Sequence, residues 1–457
     1  MAMGKRRETQ SQLFVATADL PRSPGHPFYD RLNQLLDEHH FDSFAEGLCA
    51  PFYHDSLGRP GLAPGRYFRL LLLGYFEGID SERGIAWRAA DSLSLRAFLG
   101  CAPGEPTPDH STLSRTRRLI DLETHEEVFR WALKVLAGHD LIRGKTVGID
   151  ATTLEANAAL RSIVRRDTKE TYEEFLTRLA KASGIETPTR EDLARIDKGR
   201  KNKASNKDWE HPHDPDAKVA KMKDGTTHLA HKVEHAVDLG EGACGAVLAV
   251  TLQAADRGDT DTLLPTVGAA VHNLRALDDD PATRDRIAED RVAEVVTDKG
   301  YHSNATMTDL AELEIRSYVP EPERGRRDWE GKEAEREAVY ANRRRVRGRR
   351  GKRLLRRRGE YIERSFAHAY ETGGMRRVHL RGRENILKRL LVHVGGFNLG
   401  LVMRQLVGKG TPRGLQGSAA GWAALFLGLW TALGRWVMRV AADGGPRTGR
   451  RRAGLIR

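Results

Sequence analysis

The sequence predicts an α/β protein, a mixed sheet with helices behind an all-α N-terminal region. Three observations carry this. Residues 25–140 show helical spacing and cap residues. From residue 144 the order becomes strand, two hairpin strands, helix, strand, helix, strand, helix. Two of those strands end on an aspartate, and the helix after the last strand carries a glutamate. With 457 residues the chain exceeds one small core, so two or three domains are expected.

In the N-terminal region, Phe28, Leu32, Leu35 and Leu36 recur at helical spacing. Pro64 opens the run Tyr67-Phe68-Arg69-Leu70-Leu71-Leu72-Leu73, too apolar for a surface helix. Ser81 can cap Glu82–Ala90, and Pro108-Asp109-His110-Ser111 reads as a helix start. Short helices with Arg115, Arg117 and Arg118 on the last resemble a helix-turn-helix DNA reader. A plain helical bundle with a solvated arginine face fits the same pattern.

Lys145–Asp150 is a short apolar strand, and Leu154–Ala159 continues it or turns away. His228–Leu239 alternates like a strand, with Gly245–Ala254 as its hairpin partner. Asp259–Leu274 is helical, Arg291–Asp298 a strand, Thr306–Leu313 a helix and Ile315–Val319 a final strand. Leu387, Leu390, Leu391 and Val394 mark a core helix. Two segments interrupt this plan. Residues 162–222 are polar and lack apolar periodicity, so they read as a partly helical insertion. Residues 321–358 are the second, ending in Ala341–Arg358 with eleven Arg/Lys among eighteen residues and no acid.

The balance of 75 Lys+Arg against 63 Asp+Glu gives a net charge of +12 and a pI near 9.6. That charge suits nucleic acid or an anionic surface and says nothing about fold. Cys49, Cys101 and Cys244 are far apart and lack CxxC spacing, which excludes a disulfide framework or a zinc site and fits a reducing cytoplasm. The polar N-terminus gives no signal-peptide pattern. Gly417–Gly434 is uncharged and apolar, and reads as a packed or peripheral C-terminal helix rather than a membrane span.

The chemistry lies in Thr146-Val147-Gly148-Ile149-Asp150, Val295-Val296-Thr297-Asp298-Lys299-Gly300-Tyr301 and Glu360-Tyr361-Ile362-Glu363-Arg364. Mg²⁺ prefers hard oxygen ligands such as carboxylates. Three carboxylates from two strand ends and a helix can hold two Mg²⁺ ions about 4 Å apart, the arrangement that cuts and joins phosphodiesters. Each acid alone is weak evidence, because an aspartate after a strand is usually a turn residue. The ordered set, flanked by arginines, points at DNA.

The segments Val-Gly-Ile-Asp-Ala-Thr, Val-Thr-Asp-Lys-Gly-Tyr-His-Ser and Ile-Glu-Arg-Ser-Phe-Ala-His resemble the DDE transposases of bacterial insertion sequences. Thr107-Pro-Asp-His-Ser-Thr-Leu-Ser-Arg is similar to a signature of that group's helical domain, and Asp214–Lys218 and His393–Arg404 look similar too. The resemblance runs from about residue 27 to 410. It implies an RNase H-like catalytic core and two Mg²⁺ ions, with Mn²⁺ able to substitute. It also implies binding to terminal inverted repeats and cleavage followed by joining to target DNA. Asp150, Asp298 and Glu363 match the family's three acids. Related transposases often carry an arginine four residues before the glutamate and a lysine seven after it. Here those positions are Gly359 and Tyr370, with Arg358 one residue off and Arg376 and Arg377 further on, so Glu360 stays open as a rival ligand.

Arg343, Arg344, Arg345, Arg347, Arg349, Arg350 and Arg364, with Arg115, Arg117 and Arg118, are the expected DNA contacts. A basic cluster of this kind gives salt-dependent affinity through counterion release. Lys299 and His302 are candidate phosphate contacts, though solvated charge is the plainer reading for the lysine. Metal at His228, His231 and His235 is not expected, because strand residues three apart face opposite ways. Asp259 is expected to cap its helix, and Trp329 to pack rather than stack on a base.

The expected organisation is a tail over 1–26, a helical DNA-binding domain over 27–142, a catalytic domain over 143–408 and a tail with an apolar helix over 409–457. Pairing two element ends implies a homodimer on DNA, in the bacterial cytoplasm at the nucleoid, with no membrane partner. The rival readings are a metal-dependent nuclease of the same fold that cuts without joining, and a non-catalytic DNA-binding relative.

Overall fold

The computed structural model describes residues 25–415, apart from 55–57, 59, 103, 202, 223–224, 324 and 326. The apolar segment Gly417–Gly434 lies outside the described residues.

The N-terminal part is helical as expected. It comprises α1 Pro27–Glu38, α2 Phe41–Cys49, α3 Pro64–Glu77, α4 Glu82–Ala90, α5 Leu93–Phe98, α6 His110–Leu119 and α7 Leu122–Gly138. Their starts are fixed locally. Ser81 Oγ accepts from the Gly84 N–H, Asp109 from Ser111 and Asp121 from Thr124, and Pro64 opens α3. Phe28, Leu32, Leu35 and Leu36 are buried, and so is almost the whole of α3.

The sheet begins with β1 Thr146–Glu155, longer than the sequence suggested. The insertion follows, with β2 Val164–Arg165, α8 Tyr172–Ala182, α9 Arg190–Gly199 and β3 Trp209–Glu210. It differs from the expectation of a segment without a core. Ile163, Phe175, Leu176 and Trp209 bury one another, and Arg165 lies over the rings of Phe175 and Trp209. Its apolar residues are too sparse to show periodicity yet sufficient for a satellite cluster.

Next come β4 Lys218–Lys221, β5 Thr227–Asp238, β6 Val247–Ala254, α10 Asp259–Asp278, β7 Glu294–Val296, α11 Asn304–Glu312 and β8 Arg316–Tyr318. β5 pairs antiparallel with β1 and with β6, and β4 pairs with the opening residues of β5. β7 pairs parallel with both β1 and β8. The main spatial order is therefore β6-β5-β1-β7-β8, three antiparallel strands followed by a parallel pair. The parallel strands need helical crossovers, which α10 and α11 supply. β7 covers three residues rather than eight, so Asp298 stands two residues beyond the ladder.

Residues 321–358 are not an interruption. They form α12 Glu333–Arg347 and the start of α13 Arg349–Phe366, which packs across β1, β5, β7 and β8. Gly351, Leu354 and Ile362 of α13 are buried, while Lys352, Arg353 and Arg356 face out. An Arg-rich run with apolar residues at helical spacing is an amphipathic helix. A π-helical turn, Ala367–Thr372, follows α13. The last helix, α14 Arg383–Val407, is apolar and long enough to cross a membrane, yet it is mostly buried inside the molecule. It packs on α3, α7 and β6, so one apolar core joins the helical region to the sheet.

Candidate active site

The site is built on two neighbouring parallel strands, with Asp150 midway along β1 and Asp298 just past the end of β7. Gly148 on β1 pairs with Val296 on β7, and Asp150 and Asp298 each stand two residues further on. With the period of two in an extended chain, both follow residues of the same face. Gly148 has a physical reason to be glycine: a Cβ there would lie 2.7 Å from Leu239 and 3.2 Å from Cγ of Arg358, which crosses from α13.

Asp150 is partly exposed. Its Oδ1 accepts from the Ala151 N–H at 2.8 Å, and its Oδ2 accepts from Nη1 of Arg358 at 2.9 Å. Asp298 caps a single 3-10 turn, Lys299–Tyr301, by accepting from the Gly300 N–H at 2.9 Å. Tyr301 is fully buried, and burial, reinforced by Glu234, Asp259 and Asp150, raises its phenol far above the ordinary range.

Glu363 is exposed on α13. Its direction follows from its neighbours. Arg357 and Tyr361 both donate to the carbonyl of Ala243, in the β5–β6 turn beside the start of β1. Two residues on, a helical side chain points about 200° away. Glu363 thus projects from the side of α13 away from Ala243, into solvent. Glu360 is exposed and held by Arg364 at 2.6 Å. Among the described residues, no three His, Cys, Asp or Glu side chains are gathered as a metal-holding group. Asp150 and Asp298 are brought onto neighbouring strands, and Glu363 is exposed on the helix that crosses them.

Four of the expected DNA contacts have partners within the fold. Arg117 is buried and bonded to Glu82 at 2.8 Å and to Asn385 at 2.6 Å, tying α6 to α4 and α14. Arg343 makes a two-pronged pair with Glu321. Arg345 donates to Ser317 at the end of the sheet. Arg350 pairs with the buried Glu294; burial raises that carboxyl, but bonds from Arg350, Thr146 and Tyr318 outweigh it and leave it lowered. Arg117 is thereby committed to the fold, while Arg343, Arg345 and Arg350 keep part of their surface open. Arg115, Arg118, Arg344, Arg347 and Arg349 face solvent. Lys352, Arg353 and Arg356, on the outer face of α13, extend that row.

Other residues resolve simply. His231 lies 3.4 Å from Asp214, and His235 sits between Ser365 and Tyr370, so neither faces a metal. Asp259 does not cap α10, whose cap is Gly258; it accepts from Lys232 at 2.6 Å instead. His302 is buried, Lys299 is exposed, and Trp329 packs edge-on against Tyr340.

Two family models match the chain, "Transposase domain (DUF772)" over residues 17–119 and "Transposase DDE domain" over 206–399. The second includes Asp298 and Glu363 and begins after Asp150. No curated protein and no solved structure matches. The two matches fall in the expected order on the helical region and on the sheet with its covering helices, and the chain belongs to the DDE-type insertion-sequence transposases.

Proposed function

We propose that this protein binds the ends of its insertion sequence and catalyses Mg²⁺-dependent strand cleavage and strand transfer from an RNase H-like core. The observation that carries the reading is that Asp150 on β1 and Asp298 just past β7 each stand two residues beyond the paired Gly148 and Val296, with Glu363 exposed on the helix that crosses both strands. The strand order and the two helical crossovers support the fold assignment.

The donor set fits Mg²⁺, since all three groups are carboxylates and all three are partly or fully open to solvent. Asp150, Asp298 and Glu363 would hold two ions, which polarise the phosphate and favour an attacking hydroxyl at neutral pH. The chain's own residues supply the rest. β1 fixes Asp150, the turn after β7 holds Asp298, and Arg358, beside Asp150, is placed to meet a phosphate oxygen. Arg344, Arg347 and Arg349, with Arg115 and Arg118, would follow the DNA backbone. Holding two element ends together calls for a homodimer on DNA.

The test is cleavage and joining of a DNA fragment carrying the gene's own flanking sequences. Wild type is compared with Glu363→Gln and Glu360→Gln. Loss of both products in Glu363→Gln, with DNA binding retained, is the expected result. Loss in Glu360→Gln alone would overturn the ligand assignment. Cut products without joined ones would favour a nuclease, and DNA binding with neither product a non-catalytic relative.

A further inference from the structure

Asp298 stands beyond the end of its ladder, so the sheet does not hold it in place. The last paired residue of β7 is Val296, and the Thr297 N–H reaches the Tyr318 carbonyl only at 3.4 Å. A single 3-10 turn is a weak support by itself. What anchors that turn is a group of buried polar side chains on the other face of the sheet.

Glu234 of β5 pairs with Ala151, one residue after Asp150, so its side chain leaves the sheet on the face opposite to that of Asp150. It is fully buried and accepts from Thr262, from Thr266 and, at 3.0 Å, from the Tyr301 hydroxyl. Lys232, also buried, lies 3.2 Å from Glu234 and donates to Asp259 at 2.6 Å and to Thr262 at 2.9 Å. Asp259 in turn flanks the Asp298 turn. A Cβ added to Gly300 would lie 2.5 Å from Asp259 Oδ2 and 3.1 Å from Asp298 Oδ1. The turn is thus gripped twice, by Tyr301 reaching into Glu234 and by Gly300 closing on Asp259.

A buried carboxylate and ammonium are costly unless fully satisfied. Plain apolar side chains would fill this space at less cost. Here four donors converge on one carboxylate, and the pair's two outer contacts both lead to the residues that follow Asp298. We propose that Glu234, Lys232 and Tyr301 are positioning residues, which fix the Asp298 carboxylate for divalent metal from behind the sheet. The inference rests on the metal-ligand reading of Asp298. Groups behind a metal ligand set its orientation, and their loss commonly costs about ten- to a hundredfold in metal affinity.

The experiment reads Mn²⁺ binding to the DNA-free protein by electron paramagnetic resonance, together with the Mg²⁺ dependence of cleavage. Tyr301→Phe removes only the hydroxyl, and Glu234→Gln keeps the shape of the side chain. Asp298→Asn is the control for the ligand, and Asn398→Ala, which lies away from the site, the control for lost stability. The expected result is an increase of about tenfold in the metal concentration for half-saturation in Tyr301→Phe and Glu234→Gln. DNA affinity stays unchanged, cleavage recovers at high Mg²⁺, and Asn398→Ala shows no such shift. Metal midpoints equal to wild type, with only the melting temperature lowered, would overturn the positioning role alone. Mn²⁺ binding that ignores Asp298→Asn would overturn the ligand reading and this inference with it.

Discussion

Arg358 donates from Nη1 to Oδ2 of Asp150 across 2.9 Å, joining α13 to β1 at the point where Gly148 lets its side chain pass. The pair is partly buried, and the Nε of Arg358, also buried, has no hydrogen-bond partner among the described residues. One oxygen of a proposed metal ligand is therefore held by a cation. The guanidinium takes a lone pair of that oxygen and its charge repels a metal ion beside it, so the two compete.

Replacing Arg358 with methionine keeps the stem and removes the competitor. Arg358→Met should bind Mn²⁺ about tenfold more tightly without DNA, a change of about 1.4 kcal/mol. Cleavage should fall in the same variant, because the phosphate contact is lost. Calorimetric titration checks the first part. Unchanged metal affinity would show that the pair serves only to dock α13.

The basic segment divides into two classes with opposite expectations. Arg344, Arg347 and Arg349 are exposed, so replacing all three with alanine should weaken DNA binding across sequences and leave stability within about 0.5 kcal/mol. The salt dependence of binding should become shallower by about 0.9 for each phosphate contact removed. Arg345→Ala should do the reverse, lowering the melting temperature with little change in DNA affinity, since its bonds to Ser317 hold α12 on β8. Filter binding at several salt concentrations separates the two, and equal slopes for the triple variant and wild type would remove these arginines from the DNA path.

The sequence was most legible where a pattern repeats. The helical spacing before residue 140 and the hairpin of β5 and β6 appear in the structure, whereas neither strand ends on its aspartate: β1 runs on to Glu155 and β7 stops at Val296. It was least legible where charge has a tertiary purpose. Nothing in the local pattern separates Arg343, bonded to Glu321, from its exposed neighbour Arg344. Lys232 and Glu234 looked like the polar side of an alternating strand. The structure buries both, because α10 covers that face and brings Thr262 and Thr266 to meet Glu234. Asp150 and Asp298 read as strand ends, yet β1 continues past the first and β7 stops short of the second, and the Arg358 contact joins positions more than two hundred residues apart.

Asn398 shows how α14 is fixed to the sheet. Its side chain accepts from the Val247 N–H at 2.9 Å and donates to the Val247 carbonyl at 2.8 Å, standing in for a neighbouring strand at the start of β6. Asn342 of α12 does the same for Val319, at 3.0 and 2.7 Å. Removing either side chain strands two buried backbone groups, at about 1–3 kcal/mol each. Asn398→Ala should therefore lose about 2–4 kcal/mol in urea unfolding, whereas Asn398→Asp, which keeps only the acceptor, should lose at least as much. A loss below about 0.5 kcal/mol would mean that water replaces the amide.

Acid sensitivity follows from three buried histidines. Burial lowers His125 to about 4, and His235 and His393 to about 3. Tyr370 and Ser365 enclose the His235 ring, and Tyr67 and the Asp121 carbonyl enclose that of His125. All three are neutral in the folded chain, while the unfolded chain takes up protons below about pH 6.5. The unfolded state then binds more protons, so stability is complete above pH 6.5 and falls as pH drops toward 4. At pH 5 the cost is about 2 kcal/mol for each ring, on the order of a domain's whole stability when summed. The urea midpoint should be steady from pH 8 to 7 and drop steeply between 6 and 5. His235→Gln, which cannot take up a proton, should flatten that drop by about a third of its depth at whatever absolute stability it retains. A midpoint that holds from pH 7 to 5 would show that these rings are hydrated or already charged, contrary to their enclosure.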